Sequence, residues 1–585
     1  MKNKDKSKKI NTTKTLLRLW KFLSDFKGKI VLVIILNIIA TAGSIVGPLL
    51  AGTAIDDYIE VSDLSGLKNL LYILFAIYLA NALFTWLANY GMAKISESTL
   101  YQIRKKLFEH LEKLPISYFD KNKKGDIMSR FTNDVTVISD ALTDALMQIL
   151  SSLITIVGVT IIMFKVNWVL ALVTIATVPI FFVFAYKLGV KSGELYNKQR
   201  KSLGKLSSYS EEMFTGMKVV KSYVEEDETI NEFNKSNEEL RDTSIKAQIV
   251  GNLIMPINGF VGNLGHIFLI AAGAVMVVNG NCTIGIILVF MKYSNMFRRP
   301  INQLASLFAG VQSALAGANR VFEVLDVETE FTNESKSLPF NSALGHVKFT
   351  DVSFSYVKDK VILKDINLEV NPGETIALVG PTGAGKTTIV NLLTRFYDIE
   401  KGNIYIDGID IREVKKIDLR KRIGLVLQDT YLFKGTVADN IRYGNKDATM
   451  DEIIEACKQA QAHSFIHRLP NGYDTIVEDE GANFSQGERQ LISIARAILS
   501  NPEILILDEA TSNIDTKTEK HIQAGMRILM QGRTSFVIAH RLSTIRDANE
   551  ILVINDGKII ERGTHKELIK KGKFYSKLYN SQFEQ

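Results

Sequence analysis

Nine residues, Gly380-Pro381-Thr382-Gly383-Ala384-Gly385-Lys386-Thr387-Thr388, follow a short apolar run over 374–379. They fit G-x-x-x-x-G-K-[ST] in the order strand, loop, helix. The glycines let backbone N–H groups close around phosphate oxygens. A helix starting near Lys386 would point its positive dipole end at those phosphates. Lys386 is spaced to reach the β- and γ-phosphates of a nucleotide, and the Thr387 hydroxyl to ligate Mg2+.

A second apolar run, Ile504-Leu505-Ile506-Leu507, ends in Asp508-Glu509. Four consecutive apolar residues suit a strand buried on both faces of a parallel sheet. Asp508 is placed to hold Mg2+. Glu509 can polarise an attacking water as general base. Alone such a run is weak evidence; downstream of a phosphate loop it is strong. The third element is Phe484-Ser485-Gln486-Gly487-Glu488. Ser-x-x-Glu ahead of an apolar run reads as a capping box, with Glu488 reaching back to Ser485, on a helix running to about Leu499.

The elements that hold these groups differ between the two halves of the chain. The 585 residues suggest three or four domain-sized units. At 46% hydrophobic the chain is too apolar for disorder. Two cysteines, Cys282 and Cys457, exclude a disulfide scaffold and a four-cysteine zinc site. Residues 1–330 carry 36 Lys and Arg against 29 Asp and Glu, whereas the remainder carries 34 of each. The basic excess therefore lies with the long uncharged stretches. It reads as a topology signal, and no nucleic-acid partner is expected.

Those stretches are 30–55, 69–92, 145–164, 168–186 and 247–291. A span needs roughly 20 apolar residues. The last stretch is broken by a polar turn at 279–283, which makes six expected spans: 30–55, 69–92, 145–164, 168–186, 247–278 and 284–325. Residues 1–29, 93–144 and 187–246 hold ten, nine and eleven Lys and Arg, and the opposite loops hold one, one and none. Positive residues stay inside, so both termini are expected in the cytoplasm and the chain in the cytoplasmic membrane. The N-terminus lacks a cleavable-signal pattern. The two long charged segments read as helical hairpins whose arms of about 25 residues reach roughly 35 Å. Residues 327–344 read as a linker, giving a membrane domain 1–326 and a soluble domain 345–585.

In the fifth span Gln248, Asn252, Met255, Gly259, Asn263 and His266 share one helical stripe. Polar groups in hydrocarbon usually face a bundle interior or a watery cavity. One reading is a substrate cavity at Asn252, Asn263 and His266, with Lys292 of the sixth span at a cavity or interface. The other is helix–helix hydrogen bonding with small-residue packing.

Six spans followed by one cassette resemble the ATP-binding cassette (ABC) exporters in their half-transporter form, over essentially the whole chain. The resemblance implies an α-helical membrane bundle with long cytoplasmic extensions, then an α/β P-loop ATPase. It implies ATP and Mg2+ as ligands, and ATP-driven, multidrug-type export of hydrophobic or amphipathic solutes by alternating access. By the same resemblance Tyr356 stacks on adenine, and Gln428 touches Mg2+ and faces the membrane domain. Ser512-Asn513-Ile514-Asp515 matches the D-loop, and His540 the histidine that contacts the γ-phosphate. Ser485, Gln486, Gly487 and Glu488 match the signature that meets ATP in a partner's site. Segments 115–130 and 216–226 resemble family cytoplasmic loops. Their arm ends, near 119–126 and 207–215, are expected to dock on the cassettes close to Gln428.

In this family two cassettes stack head to tail, so a chain with one cassette must pair. The signature departs from the usual Leu-Ser-Gly-Gly-Gln at Phe484, Gln486 and Glu488, and the D-loop departs at Asn513 and Ile514. Lys386, Asp508, Glu509 and His540 match the pattern. That division resembles one subunit of a heterodimeric exporter, with a homodimer as the alternative. A lipid flippase on the same architecture and a membrane-tethered ATPase acting as a sensor are the competing readings.

Overall fold

The computed structural model describes residues 12–583, except 333–337, 341–342, 358–359, 429, 509–513 and 540–541. The side chains at 181–182, 185, 258, 301–302, 304–306, 308–309, 542–544 and 582–583 also lie outside the description. The chain forms two compact units. One joins the chain up to Glu109 to Gly125–Asp326; the other joins His110–Lys124 to the chain from Val327. Asp326 and Val327 fall in different units. The inclusion of His110–Lys124 in the second unit does not follow from the sequence.

The first unit is helical: α1 (Thr12–Leu23), α2 (Lys27–Thr53) and α3 (Leu64–Leu111). A short α4 (Ile116–Lys121) lies in the segment that joins the second unit. The first unit continues with α5 (Leu146–Val166), α6 (Trp168–Thr215), α7 (Glu226–Val278) and α8 (Ile284–Leu325). Among the described residues, four helical runs are long and apolar enough to cross a membrane: Thr12–Ile59, Leu64–Leu111, Lys124–Val166 and Glu226–Val278. The start of α6, Trp168–Ile180, is apolar too. Helix α8 carries Lys292, Arg298 and Arg299 in its first half. The polar turns expected from the sequence act as caps. Asn167 accepts from the N–H groups of Val169 and Leu170 and starts α6, while Thr283 starts α8.

At 53 residues, α7 is about 80 Å long. It pairs with α6 through polar contacts beyond the apolar spans. Gln199 donates to Ser244, Lys205 to Glu239, and Tyr209 to the Thr229 carbonyl. These are the arms that the charge pattern suggests. The amphipathic α1 is tied to α8 by Arg18, which donates to both oxygens of Asp326 at 2.7 and 2.8 Å, while Phe22 stacks on Phe322.

Asp134 is buried, and Arg320 grips both of its oxygens at 2.9 and 2.5 Å. Arg320 itself is half exposed. The two ends of the pair are therefore unequal. Arg320→Ala leaves a buried carboxylate without its counter-ion and should cost roughly 2–4 kcal/mol. Asp134→Ala leaves a cation that can reach water and should cost less. Melting curves in detergent check this; equal losses for the two variants would contradict it.

In the second unit the elements follow in chain order: β1 (Val347–Val357), β2 (Lys360–Val370), β3 (Thr375–Val379), α9 (Lys386–Leu393), β4 (Lys401–Ile406), β5 (Ile409–Asp410) and β6 (Ile423–Val426). Then come α10 (Gln486–Ser500), β7 (Ile504–Asp508), α11 (Thr516–Met530), β8 (Thr534–Ile538), β9 (Glu550–Asn555) and β10 (Lys558–Gly563). One sheet is antiparallel, in the order β2-β1-β4-β5. The other runs β10-β9-β3-β8-β7-β6 and is parallel except at its β10 edge. Ile504 to Leu507 are fully buried, as an uninterrupted apolar run in a central parallel strand requires.

The segment read as a linker makes contacts with the cassette sequence. Glu330 accepts from Arg420 at 2.9 Å on both oxygens, and Leu338 pairs with the chain at Glu413 and Lys415. The sequence hides this because both partners lie more than 70 residues away.

Candidate functional site

Strand β3 delivers the phosphate loop and α9 receives it. At Gly385, φ is +110°, and a Cβ would stand 2.6 Å from Leu363 Cδ2. Gly380 approaches the Ile554 carbonyl so closely that a Cβ would collide with it. Only glycine meets both demands. Pro381 and Ala384 close the loop through the Ala384 N–H donating to the Pro381 carbonyl, and Gly557 donates to the Ala384 carbonyl. Thr382 and Gly383 form its exposed rim.

Lys386 is buried at 8% exposure, and its ammonium donates to the carbonyls of Gly380 and Pro381 at 2.7 and 3.0 Å. Burial pushes its pKa down, and the Asp508 carboxylate opposes that shift. A cleft of about 530 Å³ brings together Tyr356, Lys386, Thr387, Thr388, Gln428 and Asp508. Thr387 is exposed toward it, whereas Thr388 is buried and accepts from the Tyr356 hydroxyl at 3.3 Å. Asp508 ends β7, the buried strand beside β8. Glu509, Ser512, Asn513 and His540 lie outside the described residues.

Among the described residues no group of three or more His, Cys, Asp and Glu could hold a metal. The cleft supplies a hydroxyl, an amide and one carboxylate. That set suits a hard cation that takes its remaining ligands from phosphate and water, as Mg2+ does.

The signature lies elsewhere. Ser485 caps α10, accepting from the Glu488 N–H at 3.3 Å and donating to the Glu488 carboxylate at 2.8 Å, while that carboxylate also accepts from the Ser485 N–H. This is the capping box read from the sequence. Gly487 packs so tightly on Thr518 of α11 that a Cβ would clash. Gln486 lines a second cavity, with Gln428, Tyr431 and Arg489, and not the phosphate cleft. Asp515 caps α11 by accepting from Lys517 and Thr518, and the Thr518 N–H foremost holds its carboxyl below the usual range.

Tyr356 belongs to an aromatic cluster that the motifs do not reveal. It meets Phe354 and Tyr397 edge-on, with ring centres 4.9 and 4.8 Å away, and its hydroxyl accepts from Asn391. Tyr397 in turn donates to Asp120 of α4. Burial and the Asp120 carboxylate push the Tyr397 phenol up. The first arm end therefore contacts the cassette at Tyr397, beside Tyr356.

In the membrane unit a cavity of about 840 Å³ opens between α2, α3, α5 and α8. Asn37, Asn81, Asn89, Gln148 and Arg299 are among its lining residues; Asn252, Asn263, His266 and Lys292 are not. Asn252, Asn263 and Lys292 are exposed on α7 and α8. His266 is half-buried, and among the described residues its Nε2 has no partner. The rule applied to the fifth span, that polar residues in apolar helices mark cavities, would also have found Asn37, Asn81 and Gln148.

Comparison with known proteins decides the family. Residues 30–301 match the ABC transporter transmembrane region and residues 363–512 the ABC transporter model. An uncharacterized ABC transporter ATP-binding protein of Bacillus subtilis (strain 168), YfiC, is 45% identical over 99% of this chain and 96% of its own. The chain belongs to the ABC transporter family. A fatty acid ABC transporter ATP-binding/permease protein of Mycobacterium bovis is 42% identical over 88% of this chain and 81% of its own. An ATP-dependent lipid A-core flippase of Syntrophus aciditrophicus is 36% identical over 91% and 88%. This ABC transporter is thus an exporter-type half-transporter, an ATPase coupled to transport.

Proposed function

We propose that this ABC transporter moves amphipathic solutes out across the cytoplasmic membrane by alternating access, as half of a dimer with six spans per subunit. The membrane cavity carries the reading. A membrane-tethered ATPase without cargo has no use for a polar chamber between its spans. The relatives named for fatty acids and for lipid A-core support a lipid-like cargo.

The phosphate loop holds the nucleotide, with Lys386 on its β- and γ-phosphates and Tyr356 against adenine. Mg2+, held by Thr387, Gln428 and Asp508, would offset phosphate charge. Glu509 takes the proton of the attacking water, and His540 donates to the γ-phosphate. None of the signature residues lines the phosphate cleft of its own chain, and Gln486 lines a different cavity, which supports pairing. In the pair, Ser485, Gln486, Gly487 and Glu488 would face the partner's nucleotide, with Asp515 at the joint. Purified transporter in vesicles tests the function: ATP-dependent movement of a labelled lipid or dye is expected. ATPase activity with no solute moved would sink it.

The partner is inferred to be a different half-transporter. Ser485 has one hydroxyl proton, and Glu488 takes it. A phosphate must compete for that proton beside a negative charge. Glu488→Gln keeps the carbonyl that caps Ser485 and removes the charge. Turnover at the site this signature completes should rise about fivefold, since a like charge at the surface costs about 1 kcal/mol. The assay uses Glu509→Gln to silence the other site. Unchanged turnover would show that Glu488 serves only the cap.

A further inference from the structure

The side chains that line the membrane cavity go beyond a generic amphiphile. Asn37 on α2, Asn81 and Asn89 on α3, and Gln148 on α5 all border it. Among the described residues, none of their side-chain nitrogens donates to a protein group. Ser152, 4% exposed, also lines it, and among the described residues its hydroxyl has no protein partner. Other hydroxyls of the lining are committed to their own helices: Thr41 donates to the Asn37 carbonyl and Thr143 to the Ser139 carbonyl. The Asn37 and Asn81 side-chain oxygens accept from Thr41 and Thr85, but four carboxamide NH2 groups without a protein acceptor in a membrane helix bundle are costly unless water or a ligand satisfies them.

The charges of the lining cancel. Asp144 and Arg299 are the acidic and the basic residue of its described lining, and among the described residues neither has an ion-pair partner. A fatty-acid anion or a phosphorylated head would meet one cation and one opposing carboxylate. The lining has no aromatic side chain among its described residues, so it offers no stacking face to a flat drug. Asn81 and Asn89 are eight residues apart on one helix, which spreads the donors over about 12 Å. That is longer than a single phosphate–ammonium head requires.

We propose that this cavity recognises an amphiphile with an uncharged, polyhydroxylated head, the glycolipid class, through the carboxamides of Asn37, Asn81, Asn89 and Gln148. This rests on the export reading above. Hydroxyls are matched by carboxamides because each side both donates and accepts. Asp144 and Arg299 extend the same pattern, one as acceptor and one as donor.

The test uses the full transporter with its partner subunit in vesicles. Three fluorescent lipids are compared: a diglucosyl diacylglycerol, a phosphatidylcholine and a fatty acid. The sugar-headed probe should move at least fivefold faster than the other two. Asn81→Leu should lower its rate relative to the phosphatidylcholine rate by roughly fivefold, because a substrate hydroxyl is left unpaired. Gln148→Leu should do the same and serves if Asn81→Leu does not fold. Equal or faster movement of the zwitterionic or anionic probe would overturn the proposal. So would an unchanged ratio in both variants. ATP hydrolysis with no probe moved would overturn the export reading as well.

Discussion

Lys386→Ala is expected to weaken nucleotide binding by at least about 30-fold and, with it, to cut ATP turnover by this chain's own site. The ammonium is buried and already held by the Gly380 and Pro381 carbonyls, so it is positioned before the phosphates arrive. Pre-positioning matters because binding then costs little further ordering. Removing one partner of a desolvated, hydrogen-bonded charge pair costs roughly 2–5 kcal/mol. That is about 30-fold to several thousandfold in affinity. Fluorescent-nucleotide titration measures it, and a melting curve without nucleotide shows that the cassette still folds. Binding within threefold of the wild type would refute the role given to Lys386.

Glu509→Gln should have the opposite signature. The change is nearly isosteric and leaves Lys386, Thr387 and Asp508 untouched, so ATP should bind as tightly as before. Turnover at this chain's site should fall by roughly 10²–10⁴-fold, the usual worth of a positioned general base. The reason is position. Asp508 closes a buried central strand and lines the cleft, and Glu509 is the residue that follows it in sequence. Single-turnover kinetics separate binding from chemistry. If more than a tenth of the site's rate survives, another group activates the water. Measured together, the two variants divide the site: one loses binding, the other only hydrolysis.

Much of the nucleotide site is legible in the sequence because its chemistry is local. A loop of backbone N–H groups is written in consecutive residues, and Gly380 and Gly385 prove to stand where no side chain fits. The Ser485–Glu488 box is equally local, since both partners lie within one turn. Local patterns say nothing of the faces that distant segments turn toward each other. Asn391, Phe354 and Tyr397 surround Tyr356, but no spacing rule joins them. The Tyr397–Asp120 bond joins residues 277 positions apart and assigns the arm end to the cassette unit.

The membrane half shows the same division. Uncharged length and the placement of Lys and Arg are one-dimensional properties, and they pointed to long apolar helices and charged arms. A cavity is different. It depends on which faces of α2, α3, α5 and α8 meet, and helix packing selects those faces through side-chain fit over the whole interface. The fifth span's polar stripe therefore looked as promising as Asn37, Asn81 and Gln148, though only the latter border the chamber seen here. By itself the sequence determined the membrane bundle followed by an ATPase cassette and the phosphate loop that defines it, because backbone geometry and hydrophobic length act over neighbouring residues. Tertiary structure alone decided which polar side chains share a cavity, because that choice is made where separate helices meet and not within any one segment.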